Sequence, residues 1–534
     1  MSERIIILGA GLMQGPAITI AKELGFYAVV LDGSRDAPCI ALADRFECID
    51  LKNKEEIEAF ARSLQNSGGL GGIMTAGTDF SASVAWTAEK LRLPGVPYEA
   101  ALNASDKSRM RACFKSAGLP SPEYLTITAA DAPDEIRLPC PFPLALKPVD
   151  NMGGRGCRRV DSMAEFRAAL TMAIGFSRSG RAIAEAYMDG PEFSVDAIVY
   201  HGEITICGLA DRHICFPPYF IEMGHTMPTT AAPEQQRAIL ELFCQGIRSL
   251  GLAGRGSAGA AKGDIKLTPQ GPMIGEIAAR LSGGYMSGWT YPYSAGVRPI
   301  RAAVLAAMGR DPGSLVPDRS WTCAERAFIS IPGTVRSISG LEEARQRPGV
   351  RDVFSRISVG SAVNFPENNV SKCGNIISAA PDRVTAIESA ESAAASVLIR
   401  LEPGDSRTAD FLAAAGMTGQ AGAAHPPDAF PPDAFQIGQE IRAALEKLPE
   451  TRGSGEPRIH PFPEFTDSGL TDYAGRSIQE NLAAIRKLSG LSLRESAESS
   501  DNNTNALLGR SFWAAFIRGT YQGAVYYIDK LTKK

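Results

Sequence analysis

Residues 262–284 read KGDIKLTPQGPMIGEIAARLSGG, and this stretch decides how the rest of the chain is interpreted. Two runs of alternating apolar residues flank the Pro-Gln-Gly segment 269–271, a pattern typical of a β-hairpin. A three-residue loop with glycine in its left-handed position is a common hairpin connection. In that register we expect Asp264 to face Glu276. The same register predicts two further facing pairs, Lys266 with Ile274 and Thr268 with Pro272.

Two facing acids in a hairpin point to a bound cation. Directly opposed side chains have β-carbons roughly 5 Å apart, so the carboxylates of Asp264 and Glu276 would repel each other unless a positive charge lies between them. Mg2+ satisfies such a pair, because it takes one or two carboxylates together with substrate phosphates. Arg280 follows and could hold a phosphoryl oxygen or a carboxylate. The alternative is an edge hairpin with solvated acids, and a two-residue loop would place the acids on opposite faces.

The composition is that of a globular enzyme and argues against several other classes. At about 150 residues per domain, the 534 residues predict three or four domains. A net charge of −4 and the lack of any run near the roughly 18 apolar residues of a membrane helix predict neither a nucleic-acid partner nor a membrane partner. Ten cysteines without a CxxC pair predict reduced thiols and a cytoplasmic protein.

The N-terminus has the pattern of a doubly wound α/β domain. Residues 4–8 predict a first strand, a glycine turn and helix follow, and residues 27–31 predict a second strand that ends at Asp32. The turn resembles the dinucleotide fingerprint, but its spacing is one residue too long. We therefore favour a tight strand-to-helix turn that binds no dinucleotide. The alternation of strands and helices continues with a strand at 72–75 and a helix at 80–92.

Two lysines lie where a positive charge is unfavourable unless an anion is near. Lys107 falls in the first turn of a helix capped by Ser105 or Asp106, and Lys147 follows a buried-type strand. The glycine-rich loop 153–156 comes soon afterwards, and its amides could approach phosphate oxygens closely. The alternatives are a solvated surface lysine and an ordinary glycine turn.

A strand that breaks into a loop at residues 185–190 exposes backbone groups that can read the edge of a base. Glu192 lies just beyond this turn, where its carboxylate could accept ribose hydroxyls. The alternative is a plain strand–turn–strand unit with solvent-facing acids.

Taken in order, these stretches resemble the ATP-grasp superfamily of carboxylate–amine ligases and carboxylases, over residues 1 to about 402. The resemblance implies an α/β and α+β fold, with a Rossmann-like N-terminal domain and an ATP-grasp domain, to which the sequence adds a helical C-terminal appendage. The expected segments are 1–102 (Rossmann-like), 103–315 (ATP-grasp), 316–402 (C-terminal ATP-grasp subdomain), 403–435 (a linker rich in Ala, Gly and Pro) and 436–534 (helical appendage).

The resemblance also implies a role for each motif. ATP would be bound by the lysines, the glycine loop, the adenine hinge and the ribose acid, which are Lys107, Lys147, Gly153, Gly154, Arg155, Gly156, Glu185, Ala186, Tyr187, Met188 and Glu192. Asp264 and Glu276 would hold Mg2+, for which Mn2+ could substitute, and Arg280 would be the catalytic residue that steadies an acyl phosphate. The family usually has Asn two residues after the second acid, whereas this chain has Ala278, which removes one oxygen ligand.

The remaining segments carry weaker signals. Within the tract 209–230, the resemblance places Glu222 and His225 beside an acceptor site, although His225 could equally be a structural loop histidine. Residues 403–435 contain PPDAF twice in tandem and have a linker composition. Beyond them the pattern predicts helices at 436–448, 475–488 and 506–531, the last with an aromatic stripe that is typical of packing.

The resemblance implies an ATP-dependent ligase that joins a carboxylate, expected to be an amino acid, to an amine through an acyl phosphate. Its partners would be these small molecules, and the chain could form a homodimer. The alternatives are a purine-pathway ligase or carboxylase and a non-catalytic ATP-binding regulator. Ala278 favours the regulator, whereas the two lysines and two acids argue against it.

Overall fold

The computed structural model describes residues 2–131, 136–413, 430, 432–451, 457–491 and 506–532. They form two compact units. The first comprises the described parts of Met1–Ile214, Gly224–Glu325 and Ala379–Ala386, and the second those of Cys215–Met223, Arg326–Ser378 and Ile387–Lys534. The expected mixture of α/β and α+β structure is confirmed. Residues 414–429 and 431 of the predicted linker, including half of the tandem PPDAF repeat, lie outside the described residues.

The first unit begins with a parallel sheet flanked by helices. Its elements are β1 (Arg4–Leu8), α1 (Gly15–Glu23), β2 (Tyr27–Asp32), β3 (Arg45–Cys48), α2 (Lys54–Asn66), β4 (Leu70–Thr75) and α3 (Ser81–Leu91). The strand order is β3-β2-β1-β4, and all three pairings are parallel. The central strands β1 and β2 are continuous apolar runs because both faces of the sheet are covered.

The glycine turn after β1 is filled by the protein's own side chain. A β-carbon at Gly9 would lie 3.1 Å from the Gln14 side chain, and the Gln14 amide donates to the carbonyl of Ala76. Asp32 accepts a 2.8 Å hydrogen bond from the Ala10 amide instead of facing an open groove. This is the tight strand-to-helix turn favoured from the glycine spacing.

Two antiparallel sheets complete the first unit. Their elements and flanking helices are α4 (Tyr98–Ser105), α5 (Lys107–Ser116), β5 (Tyr124–Thr128), β6 (Leu144–Pro148), β7 (Arg158–Val160), α6 (Met163–Phe176), β8 (Arg181–Ala186), β9 (Glu192–Tyr200), β10 (Glu203–Cys215), β11 (Ile221–Met227), α7 (Pro233–Ser249), β12 (Ala258–Thr268), β13 (Gly271–Ala278), α8 (Tyr291–Ala295), α9 (Pro299–Ala307) and β14 (Thr322–Phe328). The smaller sheet has the order β5-β8-β6-β7, and within the larger sheet, which has eight strands, the strands named here follow the order β13-β12-β9-β10-β11-β14. Helix α7 packs on β12, and a β-carbon at Gly263 would meet Phe243 at 2.5 Å, which explains glycine there.

The second unit contains the remaining elements, β15 (Gly333–Ser339), α10 (Leu341–Gln346), β16 (Val350–Ser355), β17 (Ala362–Val363), β18 (Gly374–Ala380), α11 (Arg383–Ser396), β19 (Leu398–Leu401), α12 (Ser406–Ala413), α13 (Gln439–Lys447), β20 (Pro457–Ile459), α14 (Pro463–Thr466), α15 (Ile478–Ser489), β21 (Ala506–Leu508) and α16 (Arg510–Thr532). Strand β15 lies between β17 and β19, and β16 is antiparallel to β18.

The C-terminal helices pack on the strands of the second unit. Arg400 of β19 makes 2.9 and 2.6 Å bonds to Asp529, and the Gln522 amide donates to Ser330 at 2.8 Å. The stripe residues Trp513, Phe516, Tyr521 and Tyr526 are buried and Tyr527 is partly buried, which confirms the packing role predicted for the stripe. Within the described residues, no helix is long and apolar enough to cross a membrane.

Candidate active site

The hairpin of β12 and β13 places the two predicted acids opposite each other. Asp264 pairs with Glu276, as expected from the sequence. The two other predicted pairs are wrong, because the loop contains two residues instead of three. The observed pairs are Lys266 with Met273 and Thr268 with Gly271.

A β-bulge at Gly275 reconciles the short loop with the facing acids. The register shifts between Asp264 and Ile265, so one extra residue of β13 is inserted before Glu276. A β-carbon at Gly275 would lie 2.9 Å from the Asp264 carbonyl oxygen, which restricts this position to glycine. Arg111 donates a 2.6 Å bond to the Gly275 carbonyl, so a buried side chain fixes the bulge.

Cationic side chains neutralise both acids. Asp264 contacts Lys262 and lies 3.0 Å from an Arg212 nitrogen, whereas Glu276 lies 3.6 Å from the Lys107 ammonium. Burial raises the pKa of Glu276, but Lys107 and the other nearby cations outweigh that effect and lower it to about 2. The Glu276 carboxylate therefore stays ionised at neutral pH and can ligate a metal ion.

Lys107 is held at the start of α5. The Asp106 carboxylate caps this helix by accepting from the Ser108 amide at 2.8 Å, one of the caps expected from the sequence. Lys107 is 6% exposed, and its ammonium donates to the Asn151 carbonyl at 2.9 Å. Burial lowers the pKa of Lys107, but the nearby acids led by Glu276 outweigh burial and raise it, so the side chain stays charged.

Glu185 is a buried anchor for two cations. Its carboxylate lies 2.9 Å from Arg111 and 2.7 Å from the Lys147 ammonium, and the residue is only 1% exposed. Burial raises the pKa of Glu185, but Arg111 and Lys147 outweigh burial and lower it. The Glu185 side chain therefore orients Lys147, and only its backbone remains for the hinge role predicted from the sequence.

The predicted hinge has two of its amides already engaged. The Ala186 amide donates to the Glu123 carbonyl at 2.8 Å, and the Tyr187 amide donates to Pro143 at 3.2 Å. Met188 follows at the end of the strand and is half-buried. Arg159 lies over the Tyr187 ring at 4.7 Å from its centroid. The hinge can thus offer a base the faces of these side chains and its remaining backbone groups.

Glu192, the predicted ribose acid, opens β9. It contacts the Arg212 guanidinium, and Lys266 lies 3.8 Å away. Because Arg212 also reaches Asp264, one side chain joins the ribose candidate to the metal candidate.

Three glycines of the loop 153–156 have a left-handed backbone conformation. Gly153, Gly154 and Gly156 have φ values of 70°, 76° and 68°, a region that favours glycine. Arg155 donates to the Asn151 side chain at 3.3 Å within the same loop. Lys107 also bonds to Asn151, so the loop base and the first lysine are directly connected.

Arg280 lies on a tightly held turn. It is 8% exposed, donates to the Leu281 carbonyl at 3.3 Å, and its Nε atom has no hydrogen-bond partner among the described residues. Asp196 accepts from the amide and the hydroxyl of Ser282 at 2.9 and 2.8 Å and so fixes this turn. The guanidinium is therefore positioned and has a free donor.

Asp79 is a carboxylate that the sequence reasoning missed. It follows β4, in a loop whose Gly77 amide donates to Leu281 at 3.3 Å, next to Arg280. Within the part of the chain that is described, the Asp79 side chain makes no hydrogen bond or ion pair. Burial raises its pKa and the positive charge of Arg280 opposes the rise, so the two groups lie within electrostatic reach.

The two residues predicted to border the acceptor site belong to different compact units. His225 belongs to the first unit, is fully buried, and contacts Thr290 at 3.0 Å and Glu325 at 3.3 Å. This geometry favours the structural alternative for His225. Glu222 belongs to the second unit, where its backbone amide donates to the Asn369 side chain at 2.8 Å.

Two of the residues missed by sequence reasoning had a usable signal. Arg111 lies four residues after Lys107, on the same helix face, and Lys262 lies two residues before Asp264, on the same strand face. Arg212 and Asp79 had none, because their proximity to the site arises from pairings between distant segments.

Two segments of the chain match known protein families. Residues 140–287 match the profile of the ATP-grasp domain family, and residues 327–402 match that of L-amino acid ligase C-terminal domain 2. The expected resemblance to the ATP-grasp superfamily is confirmed, and residues 140–287 carry an ATP-grasp domain.

Three similar proteins illustrate the range of this class. An uncharacterised protein of Sinorhizobium fredii is 24% identical over 69% of this chain and 77% of its own length. Carnosine synthase 1 of Gallus gallus is 26% identical over 34% of this chain, so the chain spans only 20% of that protein. The crystal structure of L-amino acid ligase from Bacillus licheniformis matches with a TM-score of 0.65 and 21% identity, over 75% of this chain and 99% of that chain, which shows a shared fold.

Proposed function

We propose that this protein is an ATP-dependent ligase that activates a carboxylate as an acyl phosphate and joins it to an amine. The observation that carries the proposal is the convergence of Lys107 and Arg280 on the facing pair of Asp264 and Glu276. Cations suited to phosphates and acids suited to a metal ion thus occupy one site. Lys147, oriented by Glu185, supplies the second phosphate-binding lysine.

The proposed reaction has two steps. A carboxylate oxygen of the substrate attacks the γ-phosphorus of ATP, and the bond to the β-γ bridging oxygen breaks to release ADP. The amine then attacks the acyl carbon, phosphate leaves, and the amine loses a proton to give an amide. The protein positions the reactants and stabilises charge, which is the main contribution of enzymes to phosphoryl transfer. Arg280 would hold the acyl phosphate.

Asp264 and Glu276 fit a Mg2+ ion whose coordination is completed by oxygen atoms of the substrate. Asp264 and Glu276 offer hard oxygen ligands on one face of the hairpin. Among the described residues, no group of three or more His, Cys, Asp or Glu side chains could enclose a metal ion, so phosphate oxygens and water would supply the other ligands. Bound there, Mg2+ would neutralise the β- and γ-phosphates. Mn2+ would fit the same ligands.

We propose an amino acid as the activated substrate. Arg280 would hold its carboxylate, and Asp79, whose side chain has no partner within the described residues, would hold its ammonium group. A simple carboxylic acid has no ammonium group and would leave the half-buried Asp79 carboxylate without a cation from the substrate. The match of residues 327–402 to a domain of L-amino acid ligases supports the same substrate class.

The proposal is tested by measuring ADP and phosphate release from Mg-ATP with a panel of amino acids, singly and in pairs. We expect release that needs one specific pair and a product with the mass of the condensed pair. Glu276→Ala should abolish turnover while circular dichroism shows a folded protein, whereas Glu203→Ala, which removes an exposed acid of β10, should leave turnover unchanged. Full turnover in Glu276→Ala would contradict the metal assignment. ATP binding without turnover on any pair would favour the regulator.

A further inference from the structure

One face of the hairpin carries two adjacent cross-strand pairs. Lys262 faces Ala278, and the next pair on that face is Asp264 with Glu276. The bulge begins after Asp264 and does not separate the two pairs. A lysine therefore lies directly opposite the methyl group of Ala278, beside the acids proposed to bind metal.

The Lys262 side chain is directed into the site. Its ammonium contacts Asp264, and the side chain is only 14% exposed. On its other side, Lys262 pairs with Asp196 of β9, a fully buried acid whose Oδ2 atom has no hydrogen-bond partner among the described residues. The Lys262 ammonium therefore contacts the Asp264 carboxylate, and the Asp196 carboxyl group lies on the neighbouring strand.

Asp264 has little capacity left for two metal ions. Its Oδ2 atom contacts Lys262, and its Oδ1 atom lies 3.0 Å from Arg212 and accepts from Ser194 at 3.3 Å. Ala278 offers no oxygen. A second divalent cation at this position would lack a protein ligand from residue 278 and would be repelled by the adjacent ammonium.

We infer that Lys262 takes the place of a second divalent cation, so that the nucleotide site binds a single metal ion. The inference rests on the proposed function, because it assumes that ATP binds at this hairpin. Lys262 supplies positive charge beside the phosphates, and Glu276 remains the principal protein ligand of the one ion, since its only ion pair within the described chain is with Lys107 at 3.6 Å.

The test counts metal ions and does not depend on turnover. The full-length protein is dialysed to equilibrium against Mn2+ and the imido analogue of ATP, and bound Mn2+ and bound nucleotide are both measured. We expect one Mn2+ for each bound nucleotide in the wild type at saturating Mn2+. A ratio of two, or a ratio of zero, would overturn the inference while leaving ATP binding intact.

Variants test whether Lys262 is the cause. The double variant Lys262→Ser with Ala278→Asn should raise the ratio to two, because it removes the ammonium and restores an oxygen ligand. Lys262→Arg keeps the charge and should retain a ratio of one, as should the control Lys115→Ser, which removes an exposed lysine of α5. A folded double variant that still binds one ion would show that Lys262 does not exclude the second.

Failure of the inference differs from failure of the proposed function. If the wild type binds no nucleotide at any Mn2+ concentration, the ATP-dependent function is wrong and the inference falls with it. If nucleotide binds with two ions, the ligase proposal stands and only the role of Lys262 is refuted.

Discussion

Replacing Glu185 with Gln should destabilise the first unit and weaken ATP binding together. The substitution preserves size but removes the negative charge between Arg111 and Lys147, at 2.9 and 2.7 Å. Arg111 is 0% exposed and cannot turn to water, so its charge would remain buried without a counterion.

The expected magnitude follows from the burial of this cluster. Breaking a buried ion pair by removing one partner costs about 3–5 kcal/mol of unfolding free energy. For a large domain, 1 kcal/mol corresponds to roughly 2 °C in melting temperature, so we expect a fall of roughly 6–10 °C. Arg111 also bonds to the bulge at Gly275, so a displaced Arg111 would loosen the hairpin of β12 and β13.

The assay is a melting curve by circular dichroism, paired with measurement of the KM for ATP. Glu203→Gln is the matched control, because it makes the same chemical change at an exposed position. The KM for ATP should rise in Glu185→Gln, since Lys147 loses the group that orients it. A melting temperature within about 2 °C of the wild type, with an unchanged KM, would refute the account of this cluster.

Three further substitutions test other parts of the structure. Gly275→Ala places a β-carbon 2.9 Å from the Asp264 carbonyl, so we expect a loss of ATP turnover that exceeds any loss of folded protein in circular dichroism. Trp513→Ala removes a side chain that is 1% exposed, and the second unit should lose about 3–5 kcal/mol in thermal unfolding. Burial raises the pKa of Asp196 from 3.8 to about 6, so this group costs stability as pH rises through that interval. Asp196→Asn removes this cost, and its melting temperature relative to the wild type should rise from pH 4 to pH 7.

The elements that could be predicted from sequence are those with a local signal. The strand predicted at residues 4–8 coincides with β1, because a short continuous apolar run bounded by glycine is typical of a buried strand. Lys107, Lys147 and the glycine loop were found for the same reason, since each adjoins a strand or a helix start. Their roles in binding ATP remain predictions.

The hairpin shows where local reasoning fails. The facing of Asp264 and Glu276 was predicted from a three-residue loop, but the structure reaches it by a two-residue loop and a bulge. A bulge is specified by close backbone contact at Gly275 and by Arg111 from another helix, neither of which has a periodic signature. The expected result was right and the expected register was wrong.

The cations around the two acids should couple the binding of metal to the binding of nucleotide. Lys107 pairs with Glu276, and Lys262 and Arg212 pair with Asp264, so both predicted metal ligands have cationic partners. Phosphate groups that draw Lys107 away from Glu276 would leave that carboxylate without a partner, which favours a metal ion at the same moment. Metal and nucleotide should therefore bind with positive coupling, and by linkage each must raise the affinity for the other by the same factor. Such an exchange of partners would make the proposed site, which has few metal ligands, selective for the metal–nucleotide complex over either component alone.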